Sequence, residues 1–409
     1  MSEFRRRGSQ AWIALRNDGP RSLAQRALRA GYQRYGTDSL SLPVLPEDIV
    51  DSTRLGLTLP ERRPLRGTPL RVGWITTPPH PRSGGHTTMF RMIEAIEQAG
   101  HTCVVYLYDR FGSDLARHVE SVRASWPDVR AEVLGLPEAV RNLDACFATS
   151  WPTAHVLARR TSGQPCRRLY LVQDFEPYFY PMGAEYVLAE DTYRFGFRTI
   201  TIGHMAADQI GAVSGNTSEV APFGCDTDVY RLTNHGDRSG IAFYTKPGMP
   251  RRGFTLAALA LEEFNRRHPD VEIHTYGVDR VTLPFPTTAH GTLEPNELCE
   301  LFNRCVAGVA MSFTNISLIA EELLACGTIP VVNDSSMARA DLDNPHVRWA
   351  SATPQAIADA FSAAIAESDV PGMAAQAAAS VRSTWSEGKA VAVRVLEDEV
   401  YGPDPAGLR

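Results

Sequence analysis

The chain has 409 residues, 44% of them hydrophobic, and a formal net charge of −6. That length suits two domains with separate cores rather than one small binding module, and the mildly acidic balance argues against a nucleic-acid partner, which would call for a basic face. The seven cysteines are scattered and odd in number, with no CxxC pair, so they read as reduced thiols of a cytoplasmic protein rather than a disulfide framework or a zinc site.

Residues 1–66 read as an N-terminal extension. Its first 35 residues carry Arg5, Arg6, Arg7, Arg16, Arg21, Arg26, Arg29 and Arg34 against only Glu3 and Asp18, and Leu28, Tyr32 and Tyr35 fall at helical spacing. A basic amphipathic helix is expected there, either docked on its own domain or in peripheral contact with the inner membrane face. From about Thr37 to Thr68 proline and charge occur without a period, which suits a wrapping segment or linker. The sequence has no apolar run long enough to span a bilayer.

Regular structure is expected from Leu70. Strand (Leu70 to Thr76), glycine turn (Ser83 to His86), helix (Thr87 to Ala99) and strand ("GHTCVVYLYD") open an alternation that continues through "LDACFAT", "RRLYLVQDF", "FRTITIG" and "SEVAPFG". The pattern restarts at "SGIAFYT". A helix, "TLAALALEEFNRRH", is expected with Leu256, Leu259, Ala260 and Phe264 on its buried face, followed by "VEIHTYG", "EPNELCELFNRC", "AGVAMSF", "SLIAEELLACG" and "TIPVVND". Two consecutive Rossmann-like α/β domains are expected, over 67–235 and 236–384, with a ligand cleft between them. The segment 385–409 is expected to return as a helix onto the first domain.

Two stretches of the second domain carry the chemistry. In "FYTKPGMPRRGFTL", Lys246 is one of only two lysines in the chain and lies just past a strand; Arg251, Arg252 and Gly253 open the next helix. Cations and free N–H groups converging at a helix start can hold a diphosphate, although a turn with solvated cations gives the same spacing. In "SFTNISLIAEELLACGTIPVV" a polar loop precedes a helix carrying Glu322, which is placed either to accept hydrogen bonds from a ribose diol or simply to face the helix dipole.

Together these stretches resemble the donor half of retaining glycosyltransferases of the GT-B fold, family-4 type. The resemblance implies two doubly wound domains facing each other across a cleft, with Lys246, Arg251, Arg252 and Gly253 at the donor diphosphate and Glu322 at the ribose. The backbone of "AHGTLEPNELCELF", around His290, Gly291 and Leu293, is implied at the nucleobase. The first acid of the family's E-x7-E pattern falls on Thr314, so Thr314, Asn315 and Ser317 are left to meet sugar or phosphate. In the first domain Gly84 and Gly85 match the family's glycine loop. The run "QDFEPYFYP" resembles bacterial S-layer and surface-polysaccharide rhamnosyltransferases, and Asp174, Glu176 and His86 are the residues expected to orient acceptor or sugar. Asp226 and Asp228 spell DxD but match the interdomain connection of GT-B enzymes, so neither a metal nor another cofactor is expected. The implied function is transfer of a sugar, L-rhamnose from dTDP-L-rhamnose favoured, to a saccharide or lipid-linked glycan. A sugar-nucleotide epimerase and a non-catalytic binding scaffold are the alternatives.

Overall fold

A computed structural model describes residues 42–80, 83–110 and 112–403. The basic helix expected within the first 35 residues lies outside them. The first sheet contains β1 (Arg71–Thr76), β2 (Thr102–Leu107), β3 (Glu132–Gly135), β4 (Ala145–Ala148), β5 (Arg167–Val172), β6 (Arg198–Ile202) and β7 (Glu219–Ala221). Its spatial order is β3-β2-β1-β4-β5-β6-β7, and every pairing is parallel. Parallel strands are covered by helices on both faces, which is why their sequences run apolar without alternation. In β1, Val72 to Thr76 are all buried, and Trp74, in register with Phe147 of β4, stacks on it at 4.0 Å.

The covering helices are α1 (Gly84–Gln98), α2 (Leu115–Ser125), α3 (Trp151–Arg160), α4 (Ala184–Asp191) and α5 (His204–Ser214). The second sheet holds β8 (Ile241–Tyr244), β9 (Ile273–Tyr276), β10 (Thr288–Ala289), β11 (Ala307–Val309), β12 (Ile329–Asn333) and β13 (Arg348–Ala350), in the parallel order β10-β9-β8-β11-β12-β13. Its helices are α6 (Phe254–Arg267), α7 (Pro295–Arg304), α8 (Ile319–Ala325), the short α9 (Ser336–Arg339), α10 (Pro354–Ile365) and α11 (Val370–Ser380). On α6 the buried face is Ala257, Ala260, Leu261 and Phe264. Leu259, expected to be buried, is 49% exposed, because the face that meets the sheet is centred nearer Leu261.

The last helix, α12 (Trp385–Tyr401), leaves the second unit and packs on the first, where Trp385, Ala392, Val395, Leu396 and Val400 join the core of Trp74 and Phe147. Arg63 and Arg66 of the preceding extension bond to its C-terminal turns. The extension also buries Val44 and anchors Asp48 on Arg160, with Nε to Oδ1 at 2.7 Å. Residues 42–66 therefore lie along the first unit and the helix packed on it. Among the described residues no helix is long and apolar enough to cross a membrane.

In each sheet the strand order reverses once, between β1 and β4 and between β8 and β11. Loops leaving the carboxyl ends of such strands diverge and leave a crevice for ligands. The sequence puts its most unusual residues after those strands.

Candidate functional site

After β8 the chain turns through Lys246, whose carbonyl accepts from the Met249 N–H, into a single 3-10 turn, Pro250–Arg252. Gly253 then starts α6 with φ +66°, and a Cβ there would sit 3.2 Å from both Met311 and Phe313. Only glycine combines that dihedral with so close an approach of the following loop. The loop in question leaves β11 and runs from Ser312 to Leu318. Its Phe313 N–H donates to the Arg251 carbonyl at 2.8 Å, binding the two segments together.

The three cations meet different surroundings. Arg252 is half-buried and donates to Ser312 Oγ at 2.8 Å and the Asn315 carbonyl at 3.1 Å, both neutral acceptors. Burial, and next the adjacent Arg251, push its pKa down to about 10. No carboxylate lies within ion-pair distance of Arg252 or Lys246 among the described residues. Arg251 is paired. Its Nη1 lies 3.3 Å from Asp174 Oδ2, and its guanidinium sits over the Phe179 ring at 4.7 Å.

Asp174 follows β5, so this ion pair joins the two units. Its carboxylate is 7% exposed and fully engaged. Oδ2 also accepts from Thr314 Oγ1 at 2.8 Å, while Oδ1 accepts the N–H of Phe175 at 2.9 Å and of Asn315 at 3.3 Å. Gln173 accepts from Asn315 Nδ2 through its carbonyl and donates through Nε2 to the Gly85 carbonyl. Thr314 Oγ1 and Asn315 Nδ2, on residues expected at sugar or phosphate, thus bond to the facing unit, while the Asn315 carbonyl and Oδ1 accept from Arg252. Ser317 is buried, its carbonyl accepting from Ala320, and Leu318 comes within 4.0 Å of where a Gly84 Cβ would stand. The glycine loop, the Asp174 loop and the loop after β11 converge at one place.

Glu176 is anchored close by. Its Oε2 accepts the Trp151 N–H at the first turn of α3 and its own N–H donates to Tyr193 Oη at 3.2 Å; burial raises its carboxyl pKa to about 8. Burial also lowers His86 to about 4 against the opposing bond to the Thr77 backbone, and His86 Nδ1 is buried without a partner among the described residues.

On the ribose side, Glu322 lies in the first turn of α8 with its carboxyl raised to about 7 by burial, then by Asp226, with Arg91 opposing. Asp226 itself ion-pairs with Arg91, and its carbonyl accepts the N–H groups of Val229 and Tyr230. The DxD stretch is thus a turn in the connection between the sheets. The nucleobase candidates follow β10, the edge strand two places from β8. His290 donates its N–H to the Thr275 carbonyl and turns its ring to His274, 3.1 Å away. The Gly291 carbonyl accepts from Gly277 at 2.8 Å, and Leu293 packs on the second core. Lys246, the 277 turn and the 290–291 turn therefore follow neighbouring strands along one sheet edge.

A second bridge between the units was not anticipated from sequence. Asp341, after α9, caps the start of α5, its carboxylate accepting the N–H of His204 at 2.5 Å and of Met205 at 3.0 Å. Gly203 has φ +85°, and a Cβ on it would meet Asp341 Oδ2 at 2.6 Å.

Comparison with known proteins agrees with this fold. A family profile described as "WsaF, N-terminal domain" matches residues 130–205, and one described as "WsaF, C-terminal domain" matches residues 239–362. The chain belongs to the WsaF family of GT-B glycosyltransferases. Within the WsaF match lie Asp174, Glu176, all three cations, Glu322 and the loop after β11; the glycine loop and His86 precede it. The chain is 31% identical over 235 residues to O-antigen biosynthesis protein RfbC of Myxococcus xanthus, covering 53% of this chain and 17% of that much longer protein. Among solved structures, Anabaena Alr3699/HepE in complex with UDP and glucose aligns with a TM-score of 0.58 at 13% identity over 81% of this chain and 97% of its own. A glycosyltransferase from Rickettsia africae aligns at 0.59, with 9% identity over 81% and 99%. WaaG, a glycosyltransferase involved in lipopolysaccharide biosynthesis, aligns at 0.51, with 14% identity over 81% and 100%. These likenesses establish the GT-B fold.

Proposed function

We propose that this chain transfers a sugar from a nucleoside-diphosphate donor to a hydroxyl of a saccharide or lipid-linked glycan, with retention and without a metal, and that the favoured donor is dTDP-L-rhamnose. The observation that carries this reading is the pair Arg252 and Lys246. Two cations without carboxylate partners among the described residues precede, in the chain, a fourteen-residue helix at the β8/β11 switch point. Positive charge left unneutralised beside free helix N–H groups suits a diphosphate.

Glu322, one helix away, would accept from the ribose, and the 290–293 segment would border the base. In the transfer step the acceptor oxygen bonds to the anomeric carbon as the bond from that carbon to the diphosphate oxygen breaks, and the acceptor proton passes to the departing diphosphate. The protein's part is orientation and stabilisation of leaving-group charge. WsaF, an S-layer rhamnosyltransferase, favours rhamnose, and the O-antigen biosynthesis named for RfbC suits a glycan acceptor, whereas HepE is bound to UDP and glucose.

The test is release of nucleotide from dTDP-L-rhamnose, UDP-glucose and GDP-mannose, each with and without a rhamnose-containing oligosaccharide. Release from one donor, lost in Lys246→Ala, supports the proposal. No turnover with any donor, or an epimerised sugar recovered from donor alone, contradicts it.

A further inference from the structure

The aromatic run "YFYPM" after Glu176 plays no part in donor binding as described above. Its side chains are exposed where burial would be expected: Tyr178 at 37%, Phe179 at 40% and Met182 at 78%, with Val187 of α4 at 59%. The backbone beneath them is nonetheless fixed. Glu176 ties the 3-10 turn Glu176–Phe179 to the start of α3, Tyr180 Oη accepts from Trp151 Nε1 at 3.0 Å, and Tyr178 packs edge-on against buried Phe175 at 4.7 Å. The facing unit contributes a further exposed aromatic, Phe313 at 37%. Phe179 lies against the Arg251 guanidinium, the Phe313 N–H is bonded to the Arg251 carbonyl and the Phe313 ring comes within 3.2 Å of where a Cβ on Gly253 would stand, so one aromatic from each unit lies by the Arg251–Gly253 segment.

We infer that Tyr178, Phe179, Met182 and Phe313 form a stacking subsite for a pyranose ring of the acceptor glycan, beside the donor diphosphate. Pyranoses present C–H faces that pack on aromatic rings while their hydroxyls need polar neighbours, and sites for such ligands combine a few aromatics with convergent polar groups. The polar neighbours are present. Tyr178 Oη donates to Gln209 Oε1 at 2.7 Å, which leaves the phenol oxygen to accept, and Gln173 lies on the same loop as the aromatics. A rigid backbone under exposed rings limits the entropy lost when a ligand stacks. The charge of the adjoining helix favours a sugar over an anionic bilayer, because α4 carries Glu185, Glu190 and Asp191 and no basic residue. The inference rests on the proposed transfer reaction for calling its ligand an acceptor, but not for saccharide binding itself.

The experiment is saturation-transfer NMR and titration of the full chain with the methyl glycosides of L-rhamnose, D-glucose, D-galactose and D-mannose, with dTDP and UDP binding measured on the same samples. At least one glycoside should bind. Its affinity should fall about fivefold to tenfold in Tyr178→Ser and in Phe313→Ser, a loss typical of one aromatic contact, and should survive in Tyr178→Phe, which keeps the ring. Nucleotide affinity should stay unchanged in Tyr178→Ser and Met182→Ser. Binding of none of the four glycosides, or binding that both serine variants leave unchanged, overturns the subsite. So does co-sedimentation with phosphatidylglycerol vesicles that Met182→Ser abolishes, since the patch would then be a lipid contact. Glycoside binding without any nucleotide binding would instead overturn the donor assignment and leave the subsite standing.

Discussion

Replacing Arg252 by methionine should make the unliganded protein no less stable and its nucleotide site much weaker. The guanidinium is half-buried among neutral oxygens, and burial holds its pKa down at about 10. At about 1.4 kcal/mol per tenfold in acidity, and discounted for its partial exposure to water, the charge costs the folded state about 1–3 kcal/mol. Methionine replaces the apolar stem of arginine and carries no charge. The substitution leaves the Asn315 carbonyl accepting from Ser312 Oγ and frees only Asn315 Oδ1, whose bond to Arg252 Nη2 is long at 3.5 Å. The expected result is a melting temperature unchanged or raised by about 1–4 °C, with dTDP or UDP affinity reduced about tenfold to a hundredfold, the loss of one charge-assisted hydrogen bond. Differential scanning calorimetry and isothermal titration read the two quantities on one sample. A variant that unfolds several degrees earlier while keeping its nucleotide affinity would refute the reasoning, since Arg252 would then be a structural cation.

Other outcomes follow from the same contacts. Asp174→Asn removes the negative charge that competes for Arg251, so nucleotide affinity measured by titration should rise about threefold to tenfold while sugar transfer falls; weaker nucleotide binding would show that the carboxylate holds Arg251 ready for the donor. For Glu322 the folded carboxyl, at about 7, binds its proton more tightly than the unfolded one near 4.5. Its contribution therefore makes stability fall as pH rises across that window and level off above it. Urea unfolding between pH 5 and 8 should show a shallower fall in Glu322→Gln, with the slope from Glu176, raised to about 8, remaining. Nucleotide affinity should strengthen as pH rises through 7 in the wild type, through ionisation of a ribose acceptor, and less steeply in Glu322→Gln; equal slopes would remove Glu322 from the ribose. Gly203→Ala places a methyl group against the Asp341 carboxylate at φ +85° and should cost ~2–4 kcal/mol in urea unfolding, whereas a change below about 0.5 kcal/mol would mean that the bridge gives way freely.

The alternation of strands and helices was legible because each parallel strand is buried on both faces and leaves a continuous apolar run, as in β1 and β12. Lys246 and Glu322 stand out in the sequence because one lies two residues past β8 and the other in the first turn of α8, local relations that sequence spacing preserves. Contacts between the units were not. Thr314 and Asp174 are separated by 140 residues, and Asp341 and His204 by 137, with no local pattern to link them. Nothing in the sequence therefore linked Thr314 and Asn315, read as ligand contacts, to the Asp174 loop that their side chains also reach. Leu259 was misassigned for a smaller reason: a helical period permits more than one facing arc, and which arc is buried depends on the sheet beneath.

The most direct measurement of the central claim is isothermal titration of dTDP, UDP and GDP into the wild type and into the Lys246→Ala, Arg252→Met double variant. Binding of at least one nucleotide to the wild type, weakened at least about a hundredfold in the double variant, is the predicted result. Failure of all three to bind the wild type, or equal affinity in both proteins, would contradict a diphosphate site at the β8/β11 switch point.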